Sequence, residues 1–252
     1  MSRASQVCFF HRSKRLSLSI RAVVLVAVFL ALCGSAFAEP SAALPSVILS
    51  PTGILESYNG IPNRDLEGWK RDIAAYSLRH YGVETWSIVP TAIVLHYTAS
   101  SDFPLNLIES RTFQGEAPGV ASHFVIDEAN GGAVAYQLLP LEVMSRATFG
   151  ANFCSISIEM VARNEEDLLG KKALLDKAIS LVRELMKRYD ISLERVYGHS
   201  EIDALLAANP HGEFHDDTIE GAFTPRKIDP GARVMCLVRA SLRGDEVAAK
   251  GQ

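Results

Sequence analysis

The sequence predicts an α/β fold, a central mixed β-sheet flanked by helices, on three observations. A buried-type strand over residues 92–100, an amphipathic helix over 168–189 and a second strand over 195–200 follow in that order, and strand, helix, strand implies a crossover within a partly parallel sheet. Two apolar stretches, 122–127 and 133–138, flank Glu128-Ala129-Asn130-Gly131-Gly132 and predict an antiparallel hairpin. The 252 residues are 48% hydrophobic and 21% charged, which fits one globular domain with a core of ordinary size.

Residues 1–38 carry Arg3, Arg12, Lys14, Arg15 and Arg21 and no acidic residue, then an apolar run over 22–32, then Ser35-Ala36-Phe37-Ala38. That is the pattern of an export signal cleaved after Ala38, and it predicts a periplasmic mature protein. The apolar run is shorter than the roughly 20 residues that span a bilayer. Cys33 offers a second route, a lipoprotein anchored through that cysteine, ranked lower because Leu32 is bulky for the preceding position. Membrane contact is expected only through that signal or that anchor. Five of the 25 basic residues leave with the signal, so 20 basic face 29 acidic residues, a net charge of −9 that argues against nucleic acid as partner. Two cysteines remain, Cys154 and Cys236, which are read either as one disulfide or as two buried thiols.

Residues 39–65 form a predicted N-terminal arm, rich in Pro, Ser and Ala over 39–50, and the globular domain is expected over 66–245. LEGWKRDIAAYSLRHY, residues 66–81, reads as a helix with His80 as a charge partner in its basic last turn. In AIVLHYTAS, residues 92–100, the β-branched run places His96 in a buried setting, where either hydrogen bonds or a metal can satisfy its nitrogens. Residues 103–113 read as a short helix or a lid-like loop. His123, on the first hairpin strand, is a candidate substrate contact, a packed core histidine being the alternative, and Asn152 is a second candidate contact.

In SISIEMV, residues 155–161, a period of two sends Ile156, Ile158 and Met160 to one face and Ser155, Ser157 and Glu159 to the other. The second face is either a groove floor from which Glu159 rises or an ordinary solvated face. Leu168, Leu175, Ala178, Ile179, Val182, Leu185, Met186 and Tyr189 mark a core-packing helix. It feeds RVYGHS, a strand ending in His199. GHSEI is not a serine-nucleophile elbow, because Ile202 stands where that pattern needs glycine. Residues 203–224 read as a long polar loop over the site, with His211 and His215 solvated. In RKIDPG, residues 226–231, Asp229 followed by Pro230 is by itself a helix N-cap, ahead of an apolar segment over 234–242.

IVLHYT, SHFVI, SISIEM, YGHSEI and KIDPG occur in an order that resembles the zinc-dependent N-acetylmuramoyl-L-alanine amidases of the type 2 amidase family, which includes cell-wall amidases, phage enzymes and peptidoglycan recognition proteins. The resemblance covers residues 92–242. It implies the fold of that family and a Zn2+ cofactor. By position it makes His96, His199 and Asp229 the metal ligands, Glu159 the catalytic carboxylate and Lys227 the catalytic lysine. It also implies a peptidoglycan or muropeptide substrate, cut at the amide between N-acetylmuramic acid and L-alanine. The chain departs from the family pattern at Ser157, where glycine is frequent, at Ala147, where many members have histidine, and at Ser122, where some have a catalytic tyrosine. The stretch from His199 to Lys227 is also longer than in compact members. The alternatives are a non-catalytic peptidoglycan-binding module on the same fold, or another zinc hydrolase acting on wall peptides.

Overall fold

The computed structural model describes residues 55–57, 66–129 and 131–250. The predicted export signal with Cys33, and most of the predicted arm, lie outside the described residues. Six strands form one sheet: β1 Leu55–Ser57, β2 Ala92–Tyr97, β3 Phe124–Ala129, β4 Gly132–Gln137, β5 Ser155–Met160 and β6 Val196–Gly198, in the order β1-β4-β3-β5-β2-β6. The β3/β4 pair is antiparallel, while β1/β4, β3/β5, β5/β2 and β2/β6 are parallel, so the sheet is mixed as predicted. The predicted arm is not wholly a linker, since β1 adds an edge strand to the sheet.

Six helices accompany the strands among the described residues: α1 Leu66–Tyr81, α2 Leu105–Glu109, α3 Glu165–Gly170, α4 Lys172–Tyr189, α5 His199–Ala208 and α6 Ala232–Lys250. The long helix predicted over 168–189 is two helices. Asn164 caps α3 by accepting from Asp167 N–H, and the chain turns at Lys171 before α4 begins. The region predicted to be loop from residue 203 is helical through Ala208. That stretch, HSEIDALLAA, is rich in strong helix formers, and Ile202 and Leu206 are buried one turn apart.

Alternation along the strands sorts residues onto two layers. Ile93, Leu95, Phe124, Ile126, Ile156, Ile158 and Met160 face a core shared with α4 and α6. Each fully buried Leu, Ile or Val contributes about 1.5–3 kcal/mol, while helix propensity differs by under about 0.7 kcal/mol among ordinary residues. The buried stripe of α4, from Leu174 to Leu185, therefore decides how that helix sits. On the other face, Val125 packs with Trp69, Ile73 and Tyr76 of α1, and Ala92 and Val94 pack with Ile202 and Leu206 of α5. His96 and Glu159 continue the alternation onto this second face.

Cys154 is buried and Cys236 exposed, and both are free thiols. Burial pushes the Cys154 thiol up to about 12. No helix among the described residues is long and apolar enough to cross a membrane.

Candidate active site

The register of three parallel strands builds the site. His96 pairs with Glu159 across β2/β5, and Leu95 pairs with Gly198 across β2/β6, so His199 follows one residue beyond on the far side of His96. All three residues stand at the carboxyl ends of their strands, the rim where open α/β sheets gather ligands. His199 is the first residue of α5 rather than the last of a strand, as the sequence had predicted.

Asp229 arrives from the segment before α6. It is not the cap of that helix, which begins three residues later at Ala232. The carbonyl of Asp229 accepts from Ser200 N–H at 2.9 Å, and its Oδ2 lies 3.1 Å from His96 Nδ1 and 3.4 Å from His199 Nδ1. Two glycines permit this approach. A Cβ on Gly198 would stand 2.8 Å from Pro230 Cδ, and Gly231, at φ +98°, lies against the Glu165 carboxylate.

His96, His199 and Asp229 are all buried, and their ligand atoms lie within 4.8 Å of one another. Two imidazole nitrogens and one carboxylate oxygen form a donor set suited to zinc, and nitrogen donors disfavour calcium or magnesium. A tetrahedral zinc with bonds of about 2.0–2.1 Å separates its ligand atoms by about 3.3–3.4 Å. The His199 Nδ1 to Asp229 Oδ2 distance of 3.4 Å matches that edge, and the His96 Nδ1 to Asp229 Oδ2 distance of 3.1 Å is slightly shorter.

Electrostatics agree with a compact cation-binding site. Burial and the neighbouring His96 lower His199 to about 4, so its ring is neutral at physiological pH. Burial alone raises Asp229, but hydrogen bonds from His199 and His96 outweigh it and hold the carboxyl well below the usual range.

Glu159 stands beside this group with Oε2 buried and no hydrogen-bond partner among the described residues. Burial raises its pKa; His96 and Lys227 oppose the shift, and Asp229 adds to it. Lys227 is exposed, yet its charge reaches both Glu159 and His199. The serines beside Glu159 are not an open groove floor, since Ser155 and Ser157 are both fully buried. Ser157 Oγ lies 3.2 Å from Thr148 Oγ1, which lies 3.0 Å from His96 Nε2. This hydroxyl pair fixes the His96 ring with Nδ1 toward Asp229.

The structure withdraws both candidate substrate contacts. His123 is wholly buried: its Nδ1 accepts from Ser157 N–H at 3.1 Å and its Nε2 donates to the Val143 carbonyl at 3.0 Å. Burial lowers it to about 4, so it is a neutral core residue with no atom left for substrate. Asn152 Oδ1 accepts from the N–H groups of Ala147 and Thr148, and its Nδ2 donates to the Tyr76 and Tyr81 hydroxyls. It shapes the turn that carries Thr148.

Two supporting residues escaped the sequence reading. Thr148 gave only the signal of its place beside Arg146-Ala147. Asp203, 2% exposed, accepts at Oδ2 from the N–H groups of Arg226 and Lys227 at 2.8 and 2.9 Å. Its signal was its spacing of one helical turn from His199, hidden while that stretch was read as loop. The rest of the predicted loop is strapped down: His215 N–H donates to Gly150, Asp217 N–H donates to His80, and Phe223 stacks on Phe149. His80 is more than a last-turn charge, lying between Asp216 at 2.8 Å and Glu116 at 3.1 Å.

Comparison with known proteins gives a family and a set of structural relatives. No curated protein matches the chain. Solved structures similar to it include the N-acetylmuramoyl-L-alanine amidase LysC from Clostridium intestinale URNW, 23% identical over 46% of this chain and 74% of that one, with a TM-score of 0.39. A mutant endolysin from Bacillus subtilis is 22% identical over 46% of this chain and 74% of that one, TM-score 0.36. AmiD from E. coli, an N-acetylmuramyl-L-alanine amidase solved with anhydro-N-acetylmuramic acid-L-Ala-D-gamma-Glu-L-Lys, is 25% identical over 45% of this chain and 49% of that one, TM-score 0.35. The family model Amidase_2, described as N-acetylmuramoyl-L-alanine amidase, matches residues 87–232, from just before β2 to the start of α6. That span is more than half of the chain and takes in every strand and loop that builds the site, so the chain belongs to the Amidase_2 family of N-acetylmuramoyl-L-alanine amidases.

Proposed function

We propose that this protein is a zinc-dependent amidase that hydrolyses the bond between the lactyl group of N-acetylmuramic acid and L-alanine in peptidoglycan or muropeptides. The observation that carries the reading is the convergence of His96, His199 and Asp229 beside the unpartnered Oε2 of Glu159, in a chain of the amidase family.

His96, His199 and Asp229 would hold the zinc ion, which would supply the Lewis acidity that makes water acidic near neutral pH. Glu159 takes a proton from the attacking water and returns it to the departing alanine nitrogen. The buried Oε2 of Glu159, which has no hydrogen-bond partner among the described residues, supports that role. Lys227 stabilises the negative charge that develops on the carbonyl oxygen, a role supported by the reach of its charge to both Glu159 and His199. Thr148 and Ser157 keep the His96 ring oriented while these transfers occur.

We further propose that residues 1–38 export the protein to the periplasm, where such a substrate is found; the basic, apolar and small-residue segments of that stretch support this.

Mass spectrometry of products from a defined muropeptide tests the function. The account expects an intact stem peptide beginning with L-alanine and a sugar with a free lactyl carboxylate. Cleavage within the stem identifies a peptidase, and binding without turnover identifies a non-catalytic module.

A further inference from the structure

Asp203 lies one helical turn after His199 on α5, buried between two parts of the site. Its Oδ2 receives two backbone N–H groups, from Arg226 and Lys227. Its Oδ1 stands 3.9 Å from His199 Nε2. That nitrogen is itself buried and has no hydrogen-bond partner among the described residues. The other ring nitrogen, Nδ1, faces Asp229 Oδ2 in company with His96 Nδ1. When Nδ1 gives its lone pair to a cation, the remaining ring proton resides on Nε2. A buried N–H without an acceptor is costly, and a small side-chain adjustment brings Asp203 Oδ1 within reach of it.

We infer that Asp203 is a positioning residue acting through two others: it accepts the Nε2 proton of His199 in the zinc-loaded protein and holds the Arg226–Lys227 backbone so that Lys227 reaches the reacting carbonyl. The inference deepens the amidase reading and rests on it. It also explains how the long connection between His199 and Lys227 returns to the site in register. The connection leaves through α5, is strapped near His80 and Gly150, and is recaptured by a carboxylate on the same helix that carries the metal ligand. One side chain thus sets the tautomer of a ligand and the height of the lysine.

The test uses Asp203→Asn and Asp203→Ala in the mature protein. Zinc affinity is measured by competition with a fluorescent chelator, kcat and KM on a muropeptide at saturating zinc, and folding by melting temperature. Loss of the partner that orients a metal-bound histidine weakens metal binding about 10–100-fold, and that loss is expected in both variants. Asp203→Ala also frees the Lys227 backbone, so its kcat at saturating zinc is expected to fall about tenfold or more, with KM changed by less than about threefold, the signature of a lost transition-state interaction. Either variant, folded and binding zinc as wild type does, overturns the inference.

A measurement on the wild type does not depend on either variant folding. Nitrogen-15 NMR of the zinc-loaded protein should show His199 protonated at Nε2 and metal-bound at Nδ1; metal on Nε2 overturns the inference. A wild type that binds no zinc or leaves the muramoyl-alanine amide intact sinks the amidase reading itself. A wild type that does both, with Asp203 variants that bind zinc equally well, sinks only the role of Asp203.

Discussion

Glu159 occupies a place where a negative charge is expensive to keep. Burial raises its pKa, and the nearby cationic and imidazole groups recover only part of that cost. A general base must be ionised to accept a proton, so kcat should rise with pH as Glu159 loses its proton. Glu159→Gln should lower kcat by about a hundred- to ten-thousand-fold and abolish that acid limb. Because the native state holds the Glu159 proton to higher pH than the unfolded chain does, ionising it on the way to neutral pH costs stability. In the metal-free protein the neutral glutamine should therefore melt no lower than wild type at pH 7, and the zinc content of the loaded protein should be unchanged. Steady-state kinetics across pH, metal analysis and calorimetry check this together: near-normal turnover removes Glu159 from the mechanism, and lost zinc makes it a ligand. At this scale His96, His199, Asp229, Glu159 and Lys227 were named through the order of the five motifs and the family they resemble, and the structure brings the first three together; taken alone, Asp229 read as a helix cap. The sequence could not separate His123 and Asn152 from them. Both are polar residues near the same strands, but their partners, Val143, Ser157, Tyr76 and Tyr81, come from distant parts of the chain.

Among the elements, the short strand β6 and its junction with α5 carry a disproportionate share of the site. Gly198 ends β6 with an N–H that donates to Glu201 Oε2 at 2.8 Å, and Arg239 of α6 pairs with the same carboxylate at 2.6 Å. The missing side chain of Gly198 leaves room for Pro230 and Met235. Gly198→Ala should push the Asp229–Pro230 segment outward, at a cost typical of overpacking, about 1–3 kcal/mol, and should weaken zinc binding by displacing Asp229. Thermal melting and zinc titration measure the two effects, and a variant unchanged in both contradicts the packing described here. The β3/β4 hairpin was legible because two apolar stretches flank turn residues, and α1 was read as a helix although its apolar residues are unevenly spaced. The division into α3 and α4 was not, since the apolar spacing continues across the turn at Lys171. The helical stretch over 203–208 was obscured by the Pro, Gly, His and Asp residues that follow it.

For the molecule as a whole, the sheet order matters most: β5, β2 and β6 run parallel side by side, and their carboxyl ends bring Glu159, His96 and His199 into line. The mixed sheet was legible from the crossover and the hairpin together. The place of β1 was not, because a three-residue edge strand inside a Pro- and Ser-rich arm leaves no periodic trace. The export proposal belongs to this scale too. The mature protein should begin at Glu39, which N-terminal sequencing of periplasmic material checks, and recovery of a lipid-modified N-terminal Cys33 would contradict it. The central claim is that His96, His199 and Asp229 together hold one zinc ion. The most direct measurement is metal analysis of the purified mature protein beside its Asp229→Ala variant, with melting temperatures to confirm that both are folded. The account predicts about one zinc per chain in the wild type and little retained in the variant, because two imidazoles alone hold the ion poorly. An Asp229→Ala protein that keeps its full zinc and loses only stability would contradict it.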